Sequence, residues 1–170
     1  INWSKSLEKK INNLFFIIIP RHPIISKNIQ QNCKKNKINF AIRSQQRNSI
    51  KNKKFYIVDS FGELGLFFKL SHISIVGGSF VNNGGHNPIE TNNFDCALIF
   101  GQYMQNFSEI EKKIIETKSG FRAKNIEELE EKILALLKNK KLWKNTVNNF
   151  KKMCAMESKK VSSIIEEIYN

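Results

Sequence analysis

The sequence predicts an α/β fold, a parallel sheet with helices on both faces, within one domain spanning residues 1–170. Three observations predict it. Short apolar runs of strand length alternate along the chain with segments of helical period. The run at residues 14–19 is apolar without alternation, as parallel strands buried on both faces are. Arginine, glycine and capping residues follow the runs, at the edge where open α/β sheets bind ligands.

Taken in order, residues 4–13 are polar with Leu7 and Ile11 one helical turn apart, the end of a helix. Strand 14–19 is stopped by Pro20 and Pro23, which leave Arg21 and His22 just beyond its carboxyl end. Residues 25–36 read as a helix and 38–43 as a second strand ending at Arg43 and Ser44. After a polar loop at 44–54 comes strand 55–58, and Ser60 with Glu63 forms a capping box for a helix reaching Leu70. Strand 73–76 ends in Gly77-Gly78, and a loop with a second pair, Gly84-Gly85, leads to Asn87 at N-cap, Pro88 at N1 and Glu90 at N3 of the next helix. Residues 96–100 form a strand ended by Gly101, 107–117 a helix and 120–123 an extended piece. Ile126, Leu129, Ile133, Leu136 and Leu137 mark a helix over 126–138, and two further helices are expected at 141–156 and 161–169.

Hydrophobic content of 41% and charged content of 25% are those of a globular protein. No run of about 18 apolar residues suits a membrane span, and no signal peptide opens the chain. The chain starts at Ile1 inside a helical pattern and reads as a fragment. The net charge of +13 is spread over nearly every helix, together with abundant Asn and Ile, which favours compositional bias over a nucleic-acid groove. Cys33, Cys96 and Cys154 are far apart, have no zinc spacing and fit buried free thiols.

Strand, glycine loop and capped helix start make residues 73–90 a candidate anion site, because free amides and a helix dipole converge there. The loop is neither a Walker A sequence nor a Gly-x-Gly-x-x-Gly fingerprint. The competing reading is a tight turn before a capped helix; Asn83-Gly84 alone would suit a hairpin, but Pro88 argues against a returning central strand. Glu90 has two roles open to it, capping the helix or accepting hydrogen bonds from sugar hydroxyls. Arg21 offers a fork for phosphate, whereas His22 and His86 can equally pack in their loops. No nucleophile–base pair or metal cage is visible.

Pro20-Arg21-His22-Pro23, Asp59-Ser60-Phe61-Gly62-Glu63-Leu64, Val76-Gly77-Gly78-Ser79, Gly84-Gly85-His86-Asn87-Pro88-Ile89-Glu90, Phe100-Gly101 and Met104 with Asn106-Phe107 occur in an order and spacing that resemble the bacterial 3-deoxy-D-manno-octulosonic acid (Kdo) transferases of lipopolysaccharide assembly, over about residues 15–137. The resemblance implies the Rossmann-like C-terminal, donor-binding domain of a GT-B glycosyltransferase, short of that domain's first strand. It implies CMP-Kdo as donor and a lipid A precursor as acceptor, at the cytoplasmic face of the inner membrane. No metal or other cofactor and no nucleic-acid partner is implied. Donor contacts carry over to Pro20 and Arg21, to Phe61, Gly62 and Glu63, and to Asn87, Pro88, Ile89 and Glu90, with His22, Ser79 and His86 as secondary candidates. The family's catalytic glutamate and membrane anchor belong to an N-terminal half that this chain does not contain. Where the family has Gly-Pro-His-Met-Glu-Asn-Phe, this chain has Tyr103 and Gln105 in place of the histidine and glutamate, so no role carries over to them. Phe61 stands where a methionine is common and keeps an apolar surface for a base. A GT-B enzyme using a UDP-sugar, a basic nucleotide- or nucleic-acid-binding module and an inactive remnant are the alternatives.

Overall fold

A computed structural model describes residues 2–45 and 50–169. The chain divides into two compact units, Ile1–Phe67 and Phe68–Asn170. The α/β class and the parallel pairing hold, but the expected single sheet is two three-stranded sheets, one per unit.

The first unit contains α1 (Asn2–Lys10), β1 (Phe16–Ile18), α2 (Ser26–Lys35), β2 (Phe40–Ile42) and β3 (Phe55–Ile57), with α3 (Leu64–Leu70) crossing into the second. β3 is central and pairs in parallel with β1 and β2, so Ile18 and Ile42 both lie opposite Ile57. Phe55, Ile57, Ile42, Ala41, Leu7 and Cys33 are buried. β1 departs from the reading of a strand buried on both faces: it is half-buried throughout and Phe15 beside it is 43% exposed. The physical reason is its place at the edge of this sheet, where a strand covers only one neighbour.

The second unit contains β4 (Ile73–Ile75), β5 (Ala97–Phe100), α4 (Ser108–Glu116), β6 (Phe121–Arg122), α5 (Ile126–Lys138) and α6 (Lys140–Tyr169). β5 is central, fully buried and parallel to β4 and β6. Val76, Leu98, Phe100, Met104, Ile114, Phe150, Met153 and Cys154 form its core, with Ile89, Phe107 and Ile110 packed on it. Trp143 Nε1 donates to the His72 carbonyl at 2.8 Å, which ties the start of α6 to the strand bearing the glycine loop.

Two helices were expected where α6 runs unbroken. The charged stretch that reads as a break is held in register by Glu157, which pairs with Lys113 of α4 and, one turn along at 3.2 Å, with Lys160. The opposite error occurs at Pro88, where the expected helix is one 3-10 turn, Pro88–Thr91. Asn92 and Asn93 are weak helix formers, and Phe94 packs on Phe68 with ring centroids 5.7 Å apart.

Candidate functional site

In the first unit, the loops after three paired parallel strands share one edge. Pro20 is half-buried, and Pro23 opens a 3-10 turn, Pro23–Ile25, with His22 at its N-cap. Arg21 and His22 are exposed, and neither side chain has a hydrogen bond or ion pair among the described residues. Arg21 is thus an uncommitted cation at a strand end.

Beyond β3, Phe61 is 76% exposed and Gly62 has φ +80°, with no atom of the described residues near the place a Cβ would occupy. Glycine is needed there for its left-handed backbone and not for space. The ends of this loop are fastened to the end of β2. Ser44 donates to Asp59 from its N–H at 2.9 Å and from its hydroxyl at 2.6 Å. Arg43 grips Glu63 as a fork, with Nε 3.1 and 3.0 Å from the two carboxylate oxygens and Nη2 2.6 Å from Oε1. Ser60 Oγ donates to the same carboxylate.

These bonds correct one expectation, the capping box, and show how a second residue is held. The Ser60–Glu63 pair is a side-chain bond and not a capping box, and α3 begins at Leu64, with the Glu63 carbonyl accepting from the Leu66 N–H. Glu63, expected to touch the donor, has its carboxylate engaged by Arg43 and Ser60. Hydrogen bonds from Arg43 first and Ser60 second hold its pKa at about 2, below the ordinary 4.5. Because the folded-state value is depressed, the contribution is complete above about pH 4.5 and is lost as pH falls toward about 2. In chemical melts at stepped pH, the stability gap between the native chain and Glu63→Gln should therefore be constant above pH 4.5 and close on acidification; a gap that widens there contradicts the assignment.

In the second unit, the loop after β4 is built on the residues after β5. His86 lies over Gly77, where a Cβ would sit 2.9 Å from its Nδ1, and its N–H donates to the Gly77 carbonyl at 3.0 Å. His86 therefore braces the turn. Ser79 is fully buried; its hydroxyl donates to the Val76 carbonyl at 2.7 Å and accepts from the Gly101 N–H at 2.8 Å. Its hydroxyl thus joins the loops after β4 and β5. Gly84 and Gly85 pack against Asn106 and Met104, and Gln105 Nε2 donates to Asn82 Oδ1 at 3.2 Å. The segment around Gln105 thus supports the glycine loop.

The turn at 87–90 sorts its residues by direction. Pro88 and Thr91 are buried, Thr91 Oγ1 donates to the Pro88 carbonyl at 3.1 Å, and Ile89 packs on the core. Asn87 and Glu90 are exposed. Asn87 Oδ1 accepts from the Ile89 N–H at 3.1 Å, as an N-cap does. Glu90 does not close the box: its carboxylate has no hydrogen bond or ion pair among the described residues. The same Asn-x-x-Glu spacing at α5 gives the contrast. There Asn125 accepts from the Glu128 N–H at 2.9 Å and Glu128 reaches back to the Lys124 N–H at 3.0 Å. One glutamate caps, and the other is left free on a pinned turn. A 3-10 turn of four residues has too few aligned peptides for a macrodipole, so no helix dipole adds to the attraction for an anion here.

Other chemistry lies elsewhere. Cys33, Cys96 and Cys154 are free and buried; burial pushes the thiols of Cys96 to about 12 and Cys154 to about 11, so they are poor nucleophiles. No group of three or more His, Cys, Asp or Glu able to hold a metal occurs among the described residues. A groove of about 890 Å³ among α4, β6, α5 and α6 is lined by Lys112, Lys118, Arg122 and Lys132 together with Glu111 and Glu116, and holds none of the site residues read from the sequence. The fork of Arg43 on Glu63 is what sequence reasoning missed: Arg43 was placed at a strand end, but its partner is 20 residues away.

Comparison with known proteins supplies the family. No protein-family model matches the chain. It is 38% identical over 135 residues to the 3-deoxy-D-manno-octulosonic acid transferase of Rickettsia conorii, covering 79% of this chain and 29% of that protein. It is 39% identical over 125 residues to the enzyme of the same name from Rickettsia bellii, covering 74% and 30%. The chain thus spans less than a third of the length of these curated relatives. Among solved structures it resembles the C-terminal CMP-Kdo binding domain of WaaA from Acinetobacter baumannii, with a TM-score of 0.84 and 26% identity over 90% of this chain and 80% of that one. The α/β architecture, the order of the glycine and strand-end motifs and these two kinds of likeness agree: the chain belongs to the 3-deoxy-D-manno-octulosonic acid transferase family and corresponds to the C-terminal domain of its GT-B fold.

Proposed function

We propose that this chain is the donor-binding part of an inverting Kdo transferase that carries Kdo from CMP-Kdo to a lipid A precursor. The observation that carries the reading is the free, exposed Glu90 on a turn anchored by Pro88, Ile89 and Thr91. A carboxylate released from capping is suited to accept hydrogen bonds from ribose hydroxyls. Asn87 beside it is exposed. In the first unit, taken by itself, Arg21 is an exposed cation suited to a phosphate or carboxylate, and Phe61 an exposed ring suited to stacking on a base. Groups held in place before the reaction stabilise charge as it develops on departing CMP. The likeness to a domain described as CMP-Kdo binding supports cytidine as the base.

The proposed place of action is the cytoplasmic face of the inner membrane, because the acceptor is a membrane lipid. No helix among the described residues is long and apolar enough to cross a membrane. The test is nucleotide choice by calorimetric titration: CMP is expected to bind the chain and UDP to fail to compete. Preference for UDP would replace Kdo transfer with another GT-B activity.

A further inference from the structure

We infer that Arg43 is a positioning residue for the donor site, a clamp that fixes the exposed loop carrying Phe61 and Gly62. The inference rests on the donor-binding reading above. Among the described residues the loop has little packing at its tip: Phe61 is 76% exposed, and no described atom lies near Gly62's missing Cβ. Its geometry is therefore set where it joins the sheet. Both joins are tied to the end of β2, Asp59 by Ser44 and Glu63 by the guanidinium fork of Arg43. β2 and β3 are hydrogen-bonded neighbours with Ile42 opposite Ile57, and the Arg43 N–H donates to the Ile57 carbonyl at 2.9 Å, so the arginine is held as well as holding.

The ordinary alternative is a surface ion pair of little consequence. Two features set this pair apart. It uses the planar fork, which a lysine cannot reproduce, and its carboxylate is shared with Ser60, inside the loop being held. Glu63 is then not a donor contact but the point by which Arg43 acts on its neighbours Phe61 and Gly62. The depressed Glu63 pKa agrees with a carboxylate kept charged by these donors.

The test uses the whole chain, Arg43→Lys, and the exchanged pair Arg43→Glu with Glu63→Arg. Two quantities are read, the backbone ¹⁵N order parameters of Phe61 and Gly62 and the affinity for CMP. Arg43→Lys keeps the charge and loses the fork. It should lower the order parameters from a rigid value of about 0.85 to below about 0.6 and weaken CMP binding about tenfold, with circular dichroism unchanged. The exchanged pair should recover a substantial part of both. Unchanged order parameters overturn the clamp. A loosened loop with unchanged CMP affinity overturns its role in binding. Failure of the native chain to bind CMP removes the donor reading, while the order parameters still decide the clamp.

Discussion

Gly101→Ala is expected to unfold the second unit at a temperature at least about 10 °C below that of the native chain, the equivalent of about 3 kcal/mol. A Cβ at this position would lie 2.1 Å from the Ser79 carbonyl oxygen, 2.5 Å from its carbon and 2.8 Å from the Phe80 nitrogen. All three are backbone atoms, so no rotamer change relieves the overlap. Ser79 cannot easily retreat either, because its hydroxyl bridges Val76 and Gly101 and the Tyr103 N–H donates to its carbonyl at 2.9 Å. The glycine marks the crossing of the loops after β4 and β5. Thermal unfolding followed by circular dichroism checks this. A melting temperature equal to the native one would mean that the two backbones do not approach so closely in solution.

Glu90→Ala is expected to weaken CMP binding by about 10- to 100-fold, the loss of charge-assisted hydrogen bonds of about 1.5–3 kcal/mol. Its melting temperature should stay at the native value, because Glu90 makes no bond within the fold among the described residues. Glu128→Ala at the matching position of α5 should behave in reverse, losing about 1 kcal/mol of stability and leaving CMP binding alone. Calorimetric titration and thermal melts of the two variants separate a ligand-binding carboxylate from a capping one. A destabilised Glu90→Ala with native affinity would make Glu90 the cap that its spacing first allows.

The contrast between these two glutamates shows what could be read from the residues. Both follow an asparagine by three positions, so local sequence cannot tell them apart. The difference lies in what comes after: α5 continues for 13 residues with apolar positions facing the core, whereas the turn at Pro88 ends after four. Periodicity over several turns made α5 legible to its end residues. A short apolar run gives the strands but not which will be edges, and β1 looked central because edge position is a property of the sheet. Local structure was legible where a residue's type is enough, as with the crowded glycines of the loops after β4 and β5. It was not legible where a role depends on a distant partner. The bonds of Ser79 with Gly101 and of Glu63 with Arg43 join residues about 20 positions apart, which local sequence does not show.

The most direct measurement is the amide chemical-shift map of the ¹⁵N-labelled chain during titration with CMP. The account predicts shifts concentrated at Asn87, Ile89 and Glu90 of the second unit, and none along the groove lined by Glu111, Lys112, Glu116, Lys118 and Lys132. Shifts confined to that groove, or no shifts at millimolar CMP, would contradict it.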